Sequence, residues 1–475
     1  MMLDMIENPK LIQGGMGFRV SNDRLAGAVA RAGERLEKPV LGTVSGVGLS
    51  VSCIENLVSG DEGTMEALQA FPVPKVAQEL KDRYWLRKNK FGRADLPPTP
   101  EVLINGSQAG KDLLTKLLVF ANYAEVFKAK RGHNGPIAMN YLEKVQPGRP
   151  FEIYGAMLAG VDYIASGAGL PTQTPGILDR FAAGLDASYR INITGSDEGF
   201  EMKFNPAKIF GDNHSLKRPK FLAIVSLHVA AHALIERSNG EIYGFVVESP
   251  IAGGHNAPPR PRKDVDEKSD VPVYGPKDEP DLSKFRQYGK PFWLAGGMAS
   301  PEELQRAVDE EGATGIQVGS AFALCDESGI LDHRKRDLRR RGFDGTLVVR
   351  PSKRTSPTGY PINIAQLRDS LSDPEVYSRR VRQCDFGFLD EYYETEGKIR
   401  SRCPAEPVDT YIAKGGKIEE TEGARCLCSG LGATVGMASG KDIVTLGQKL
   451  DFLGKLMKTP VDSFNAEDVI RHIFS

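Results

Sequence analysis

The sequence predicts an α/β protein built on a closed (β/α)8 TIM barrel, with insertions and a mostly helical second domain at the C-terminal end. Eight short runs rich in apolar and β-branched residues recur along the chain, and stretches with helical periodicity follow several of them. The runs lack a regular polar alternation, which is typical of parallel strands buried on both faces. Alternation with helices favours a parallel sheet, and the number eight favours a closed barrel over an open sheet.

The eight predicted strands define a barrel domain over residues 1–335. They cover residues 10–15, 39–46, 136–142, 161–169, 220–226, 244–249, 291–297 and 315–320. Capping residues mark helix starts between them. Asn22 and Asp23 precede one helical stretch, and Ser300 stands as the N-cap of another, with Pro301 and Glu303 behind it.

Three segments do not fit the strand–helix repeat of the barrel and are predicted to be insertions. Residues 51–130 read as a mostly helical excursion, and residues 188–218 contain two alternating runs around "GSDEG", which predicts a β-hairpin. Residues 256–290 are rich in Pro, Asp, Lys and Arg, which predicts a mobile loop over the barrel mouth. The repeat stops at the basic stretch "HRKRDLRRRGFDG" (333–345), and residues 336–475 are expected to form the mostly helical second domain.

Composition excludes several classes of function. The 475 residues include 61 Lys and Arg against 62 Asp and Glu, so there is no positive excess to attract nucleic acid or an anionic membrane. We expect no signal peptide, no membrane span and a cytoplasmic location. Six cysteines do not form a disulfide framework, and Cys426 and Cys428 lack a second pair at zinc spacing, so no metal site is expected. The expected partner is a small-molecule substrate, and a homo-oligomer is left open.

Glycines and small residues cluster where the predicted strands end. The clusters are Gly14-Gly15, Gly167 with Gly169, Gly253-Gly254, Gly296-Gly297 and Gly319-Ser320. In a barrel these ends converge on the face that binds ligands. The last two clusters follow strands seven and eight, where bare backbone N–H groups commonly hold a phosphate. A phosphorylated cofactor or substrate is therefore expected.

Four motifs, "LIQGGMG", "AGGH", "LAGGMASPEEL" and "GIQVGSAF", resemble in their order and spacing the nitronate monooxygenase family, formerly called 2-nitropropane dioxygenases. That superfamily also contains the flavin-type enoyl-acyl-carrier-protein reductases. The resemblance covers most of residues 10–330, and "SPTGYPIN" (356–363) resembles the segment that follows the barrel in this family.

The resemblance implies FMN as the cofactor, bound at the ends of the barrel strands. In the family's pattern, residues 13–16 would lie along the flavin ring, Asn140 would hydrogen-bond it, and Glu248 stands where glutamine is usual. The cofactor-binding residues that it implies are Gly14, Gly15, Met16, Asn140, Glu248, Gly253, Gly254, Gly296, Gly297, Gln317, Val318, Gly319 and Ser320.

His255 is the candidate catalytic residue. It follows two glycines at the end of a strand, and an imidazole titrates near neutral pH, so it can supply or stabilise a proton. The alternative is a histidine that only hydrogen-bonds its loop.

Two departures from the family pattern bear on the activity. Gly167 occupies the position of the histidine that serves as base for nitroalkanes, and Ile251 stands where both branches usually have glutamate. The leading interpretation is an FMN-dependent oxidoreductase that oxidises alkyl nitronates with O2. The alternative is an NAD(P)H-dependent enoyl-thioester reductase that uses FMN, and a third interpretation is a flavin-binding protein without turnover.

Overall fold

A computed structural model describes residues 8–86, 99–211, 216–263, 265–266, 269–384 and 386–475. Parts of the three predicted insertions, namely residues 87–98, 212–215, 264, 267 and 268, lie outside the described residues. In chain order the strands are β1 (Leu11–Gln13), β2 (Val40–Ser45), β3 (Ile137–Leu142), β4 (Tyr163–Gly167), β5 (Ala187–Ile191), β6 (Phe200–Phe204), β7 (Lys220–Val225), β8 (Gly244–Glu248), β9 (Gly254–His255), β10 (Phe292–Ala295), β11 (Gly315–Val318), β12 (Val349–Ser352), β13 (Ile362–Ala365), β14 (Glu391–Thr395) and β15 (Lys398–Arg402).

Eight parallel strands close into a barrel in the order β1-β11-β10-β8-β7-β4-β3-β2. Each of the eight predicted runs contains one of these strands, so the (β/α)8 barrel is confirmed. The first and last strands close it, with Leu11 opposite Ile316 and Gln13 opposite Val318.

The α-helices surround the barrel and also fill the first insertion. They are Asp23–Leu36, Leu49–Ser59, Glu62–Ala70, Pro74–Leu80, Val102–Asn105, Gln108–Ala129, Arg149–Leu158, Thr174–Ala182, Pro206–Phe210, His228–Arg237, Leu282–Gln287, Pro301–Gln305, Ser320–Ala323, Asp332–Phe343, Pro374–Ser378, Val408–Ala413, Leu427–Thr434, Leu453–Leu456 and Ala466–Ile473. The predicted caps are present, since Asn22 accepts a hydrogen bond from Leu25 N and Ser300 accepts one from Glu303 N.

The barrel has two hydrophobic cores because successive strand residues point to opposite faces. Its interior is filled by a cluster that includes Ile12, Tyr163 and Trp293, and the indole N–H of Trp293 donates to Pro9 O at 2.6 Å. Residues one step along the strands, such as Leu11 and Ile164, face the surrounding helices in a larger cluster. The lower barrel is therefore solid, and ligand space is left at the carboxyl ends of the strands.

The described parts of the insertions contain helices, a hairpin and irregular chain, while the mobility of residues 256–290 stays a prediction. Four helices and most of a fifth fall within residues 51–130, and β5 pairs antiparallel with β6 to form the hairpin. Residues 256–290 are mostly irregular and include one short helix, Leu282–Gln287.

The segment after residue 335 differs from the mostly helical expectation. It contains most of the basic helix Asp332–Phe343 and several short helices, but also four strands and much irregular chain. The run "DIVTLGQKLDFLGKLMK" (442–458), for example, is helical only at Leu453–Leu456. The expectation is therefore corrected to a mixed segment.

Part of this segment covers the barrel mouth. Strand β13 pairs antiparallel with both β12 and β9, so the chain after the barrel shares a three-stranded sheet with Gly254 and His255. Its side chains Leu446, Phe452 and Val469 also belong to the core that packs on the barrel. The division into two domains at residue 335 stays a prediction.

In the described part of the chain, no helix has the length and apolar character needed to cross a membrane. The cytoplasmic location and the homo-oligomer stay predictions.

The helix Arg149–Leu158 packs against the helix Gln108–Ala129 at Gly155, where a Cβ atom would fall on the backbone oxygen of Val119. We expect Gly155→Ala to lower the free energy of unfolding by about 1–3 kcal/mol, because the two backbones have to move apart. Urea denaturation of the purified protein measures this change. Gly454→Ala is the matched control, since a Cβ atom added there would have nothing within 4 Å, and it should stay within about 0.5 kcal/mol of the wild type. Equal stability of the two variants would contradict the close helix contact.

Candidate active site

One cavity at the carboxyl ends of the barrel strands is lined by all fourteen predicted site residues. They are Gly14, Gly15, Met16, Asn140, Glu248, Gly253, Gly254, His255, Gly296, Gly297, Gln317, Val318, Gly319 and Ser320. These residues come from the ends of β1, β3, β8, β10 and β11, which barrel closure brings together, and from β9 and the residue before it, which follow β8. Their individual roles stay predictions.

The loop after β1 is held rigid by a buried polar network. The Gln13 amide donates to Gly14 O at 2.6 Å and to Ser21 Oγ at 2.8 Å, and its oxygen accepts from Thr43 N at 2.7 Å. Ser21 Oγ also donates to Gly14 O and accepts from Met16 N, each at 3.0 Å. The backbone of Gly14 and Gly15 is therefore presented to the cavity in one fixed shape.

Asn140, at the end of β3, is aimed at the same loop. Its Nδ2 donates to Gly15 O at 2.8 Å, and a Cβ atom on Gly15 would collide with the Asn140 side chain. Its Oδ1 is buried and has no hydrogen-bond partner among the described residues. Because leaving a buried acceptor unpaired costs free energy, this oxygen indicates a missing donor at the cavity wall.

The ends of β10 and β11 form a cradle of bare backbone. Gly296 and Gly297 have φ angles of 101° and 71°, a region that other residues rarely adopt. A Cβ atom on Gly296 would lie 2.9 Å from Ser249 Cβ. The hydroxyl of Ser320 accepts a hydrogen bond from Gly447 N at 2.7 Å, which leaves its proton available to donate.

Glu248 ends β8 and faces the cavity. Burial raises the pKa of its carboxyl group to about 8, and no neighbouring positive charge in the described chain opposes that shift. At neutral pH the group is therefore mostly uncharged, and a protonated carboxyl can donate one hydrogen bond and accept another.

His255 lines the cavity and also contacts the segment after the barrel. Its Nε2 lies 2.7 Å from Ser356 Oγ. Burial, and to a smaller extent the positive charge of Lys144, lowers the pKa of the imidazole to about 4, so the ring is neutral at physiological pH. Both sequence-based interpretations have structural counterparts here, since the ring hydrogen-bonds a loop and reaches the cavity.

Gly167 has little room for a side chain. A Cβ atom at Gly167 would lie 2.7 Å from Ile224 Cβ, so the side chain from the neighbouring strand β7 occupies the space that a histidine would need. Ile251 interacts through its backbone: its carbonyl oxygen accepts a hydrogen bond from Gln448 N at 2.9 Å.

Sequence reasoning missed the residues that the C-terminal segment adds to the cavity. They are Ile362, Phe388, Leu389, Leu427, Cys428, Leu431, Thr445, Leu446, Gly447, Lys449 and Phe452. Thr445 Oγ1 accepts from Gly254 N and donates to Asn363 O, both at 2.7 Å, which joins this segment to the Gly-Gly-His loop. These residues follow no repeat and stand far along the chain from the strand ends, so only the match of "SPTGYPIN" pointed toward this region.

Among the described residues, no three or more His, Cys, Asp or Glu side chains are arranged to hold a metal ion.

Among known structures, three with similar chain folds illustrate the level of likeness. A variant of FabK from Thermotoga maritima is 14% identical with a TM-score of 0.46, and the alignment covers 99% of this chain and 93% of that chain. Nitroalkane oxidase from Streptomyces ansochromogenes gives the same identity and TM-score over 99% and 96% of the two chains. The enoyl reductase domain of MlnA from the macrolactin biosynthesis cluster of Bacillus amyloliquefaciens is 12% identical with a TM-score of 0.46, over 99% and 95%. Likenesses this distant carry no information about activity.

No curated protein sequence matches the chain. The family model described as nitronate monooxygenase matches residues 211–361, which run from the chain before β7 to the start of "PIN" after the barrel. The resemblance of this chain to the nitronate monooxygenase family is thereby confirmed over that region.

Proposed function

We propose that this chain is a flavin-dependent oxidoreductase that binds FMN in the cavity at the barrel mouth. The observation that carries the proposal is the convergence of all fourteen predicted residues on one cavity, together with the unpaired buried oxygen of Asn140. A flavin ring offers an N–H donor of the kind that this oxygen lacks.

The cavity fits the two parts of FMN at different strand ends. Bare backbone at Gly14 and Gly15 leaves room for a flat ring beside Asn140, because a side chain on Gly15 would fill that space. On the side of β10 and β11, Gly296, Gly297 and Gly319 line the cavity, where backbone N–H groups without side chains beside them suit a phosphate. FMN, when bound, supplies transfer of electrons as hydride equivalents, which no protein side chain provides.

The side chains around the cavity set its electrostatics. Glu248 and His255 are both uncharged near neutral pH, so each can exchange a hydrogen bond without placing a net charge among the apolar walls. The remaining walls at the ring side are apolar and include Leu142, Ile224, Ile362, Phe388 and Leu431. This lining suits an uncharged, apolar substrate better than an anion.

For the substrate we propose an enoyl thioester, reduced at the expense of NAD(P)H. The wall favours an uncharged acyl chain, and Ile224 fills the place of the base at Gly167 on which oxidation of a neutral nitroalkane depends. Oxidation of alkyl nitronates with O2 is the second candidate. The matched family model is described as nitronate monooxygenase, which favours this second candidate. A nitronate that is already ionised also needs no base.

Anaerobic reduction separates these candidates. We expect NADH or NADPH to bleach the visible absorption of the FMN-loaded protein, and a 2-enoyl thioester to restore it, because the electrons then pass to the double bond. The saturated thioester of the same chain length is the control and should leave the flavin reduced. Bleaching by propyl nitronate but not by nicotinamides would indicate nitronate oxidation instead. Yellow protein that neither reagent reduces would indicate a flavin-binding protein without turnover.

The pH dependence of reduction tests the role of Glu248. We expect the rate of anaerobic reduction to fall as pH rises through about 8, because the carboxyl group, neutral below its raised pKa, ionises there and places a negative charge in the cavity. A negative charge disfavours the reduced, more negative state of anything bound beside it. In Glu248→Gln, which keeps the shape but cannot ionise, stopped-flow absorbance should give a flat profile over this range.

Glu236→Gln, a change at an exposed carboxylate on the helix His228–Arg237, is the matched control and should keep the inflection. A profile that still falls near pH 8 in Glu248→Gln would show that another group is responsible.

A further inference from the structure

A short piece of the C-terminal chain lies directly on the cradle formed by β10 and β11. We call residues 445–449 the cradle strap. Three of its hydrogen bonds join it to loops around the cradle: Gly254 N donates to Thr445 Oγ1 at 2.7 Å, Gly447 N donates to Ser320 Oγ at 2.7 Å, and Gln448 N donates to Ile251 O at 2.9 Å. The strap is therefore fixed to the loops that border the cradle and is not a detached tail.

Lys449, the last residue of the strap, lines the cavity beside the cradle. Its aliphatic chain crosses Gly297, where a Cβ atom would lie 2.7 Å from Lys449 Cδ. Its ammonium group lies 3.3 Å from Glu303 Oε1, and about half of the side chain (51%) is exposed. The ammonium group can therefore move while the aliphatic stem stays against the cradle.

The charge balance of the cavity makes this lysine distinctive. Among the residues that line the cavity in the described chain, Lys449 is the one that carries a fixed positive charge. Backbone N–H groups and the Ser320 hydroxyl are neutral donors, whereas a phosphate monoester carries about −1.5 to −2 charges at neutral pH. Hydrogen bonds between two charged groups are about twice as strong as neutral ones.

We propose that Lys449 recognises the cofactor phosphate, so that the C-terminal strap selects FMN over the unphosphorylated flavin. The inference rests on the proposed function and adds to it the residue that discriminates between the two flavins. Lysine binds phosphate as a mobile point charge on a flexible stem, which suits a side chain that is half exposed beside the cradle.

Glu303 is arranged so that Lys449 can leave it at little cost. Arg306 holds the same carboxylate through two hydrogen bonds to Oε2, from Nη2 at 2.6 Å and Nε at 3.0 Å. When Lys449 turns to a phosphate, the Glu303 carboxylate still has the positively charged Arg306 as a partner. The ammonium group of Lys449 can therefore pair either with the Glu303 carboxylate or with an anion in the cradle.

Titration of cofactor-free, full-length protein with FMN and with riboflavin tests the proposal. We expect Lys449→Met to weaken FMN binding by about tenfold or more, because a hydrogen bond between charged groups is lost, and to leave riboflavin binding unchanged, because riboflavin has no phosphate. Lys449→Arg, which keeps the charge, should recover most of the FMN affinity. Lys458→Met removes an equal charge from an exposed position nearby and is the matched control, with no expected change for either flavin. Fluorescence quenching of the flavin measures all of these affinities.

The two flavins distinguish the possible failures. Equal weakening of FMN and riboflavin in Lys449→Met would mean that the strap supports the pocket without reading the phosphate, and an unchanged FMN affinity would mean that Lys449 makes no contact with it. Either result overturns the inference while the proposed function stands. Wild-type protein that binds neither flavin would overturn the proposed function and this inference together.

Discussion

The hydrogen bonding between β1 and β11 is the interaction on which the rest of the structure depends. These strands stand about 300 residues apart in the sequence, yet Leu11 pairs with Ile316 and Gly14 N donates to Val318 O at 2.8 Å. This pairing closes the barrel, leaves none of its eight strands with an open edge, and brings Gly14 against Gly319. Without it the cavity has no wall between Met16 and Ser320.

Much of the fold and of the site could be predicted because both are repeated in the sequence. A parallel barrel needs eight apolar strands, and each leaves a recognisable run that ends in small residues such as Gly296-Gly297 or Gly319-Ser320. Since all strands point the same way, residues that end successive strands are also neighbours in space.

The remaining features depend on contacts that carry no local signature. The segment after residue 335 consists of short pieces whose conformation is set by what they pack against, and for this reason its helical content was overestimated. Thr445 and Lys449 stand in a stretch without a recognisable motif, and long-range contacts such as the pairing of β13 with β9 carry their part of the chain over the barrel mouth. Likewise, the space available to a side chain at Gly167 is limited by Ile224 in the adjacent strand, and no sequence motif connects the two residues.

The late position of the cradle strap has a consequence for how the protein is made. The barrel cannot close until residue 318 has left the ribosome, and the cavity lacks one side until residue 449 has followed. Contacts between such distant parts of a chain form slowly, since a long loop has to be ordered first. A nascent chain that stops short of the strap would thus have a pocket that is open on one side.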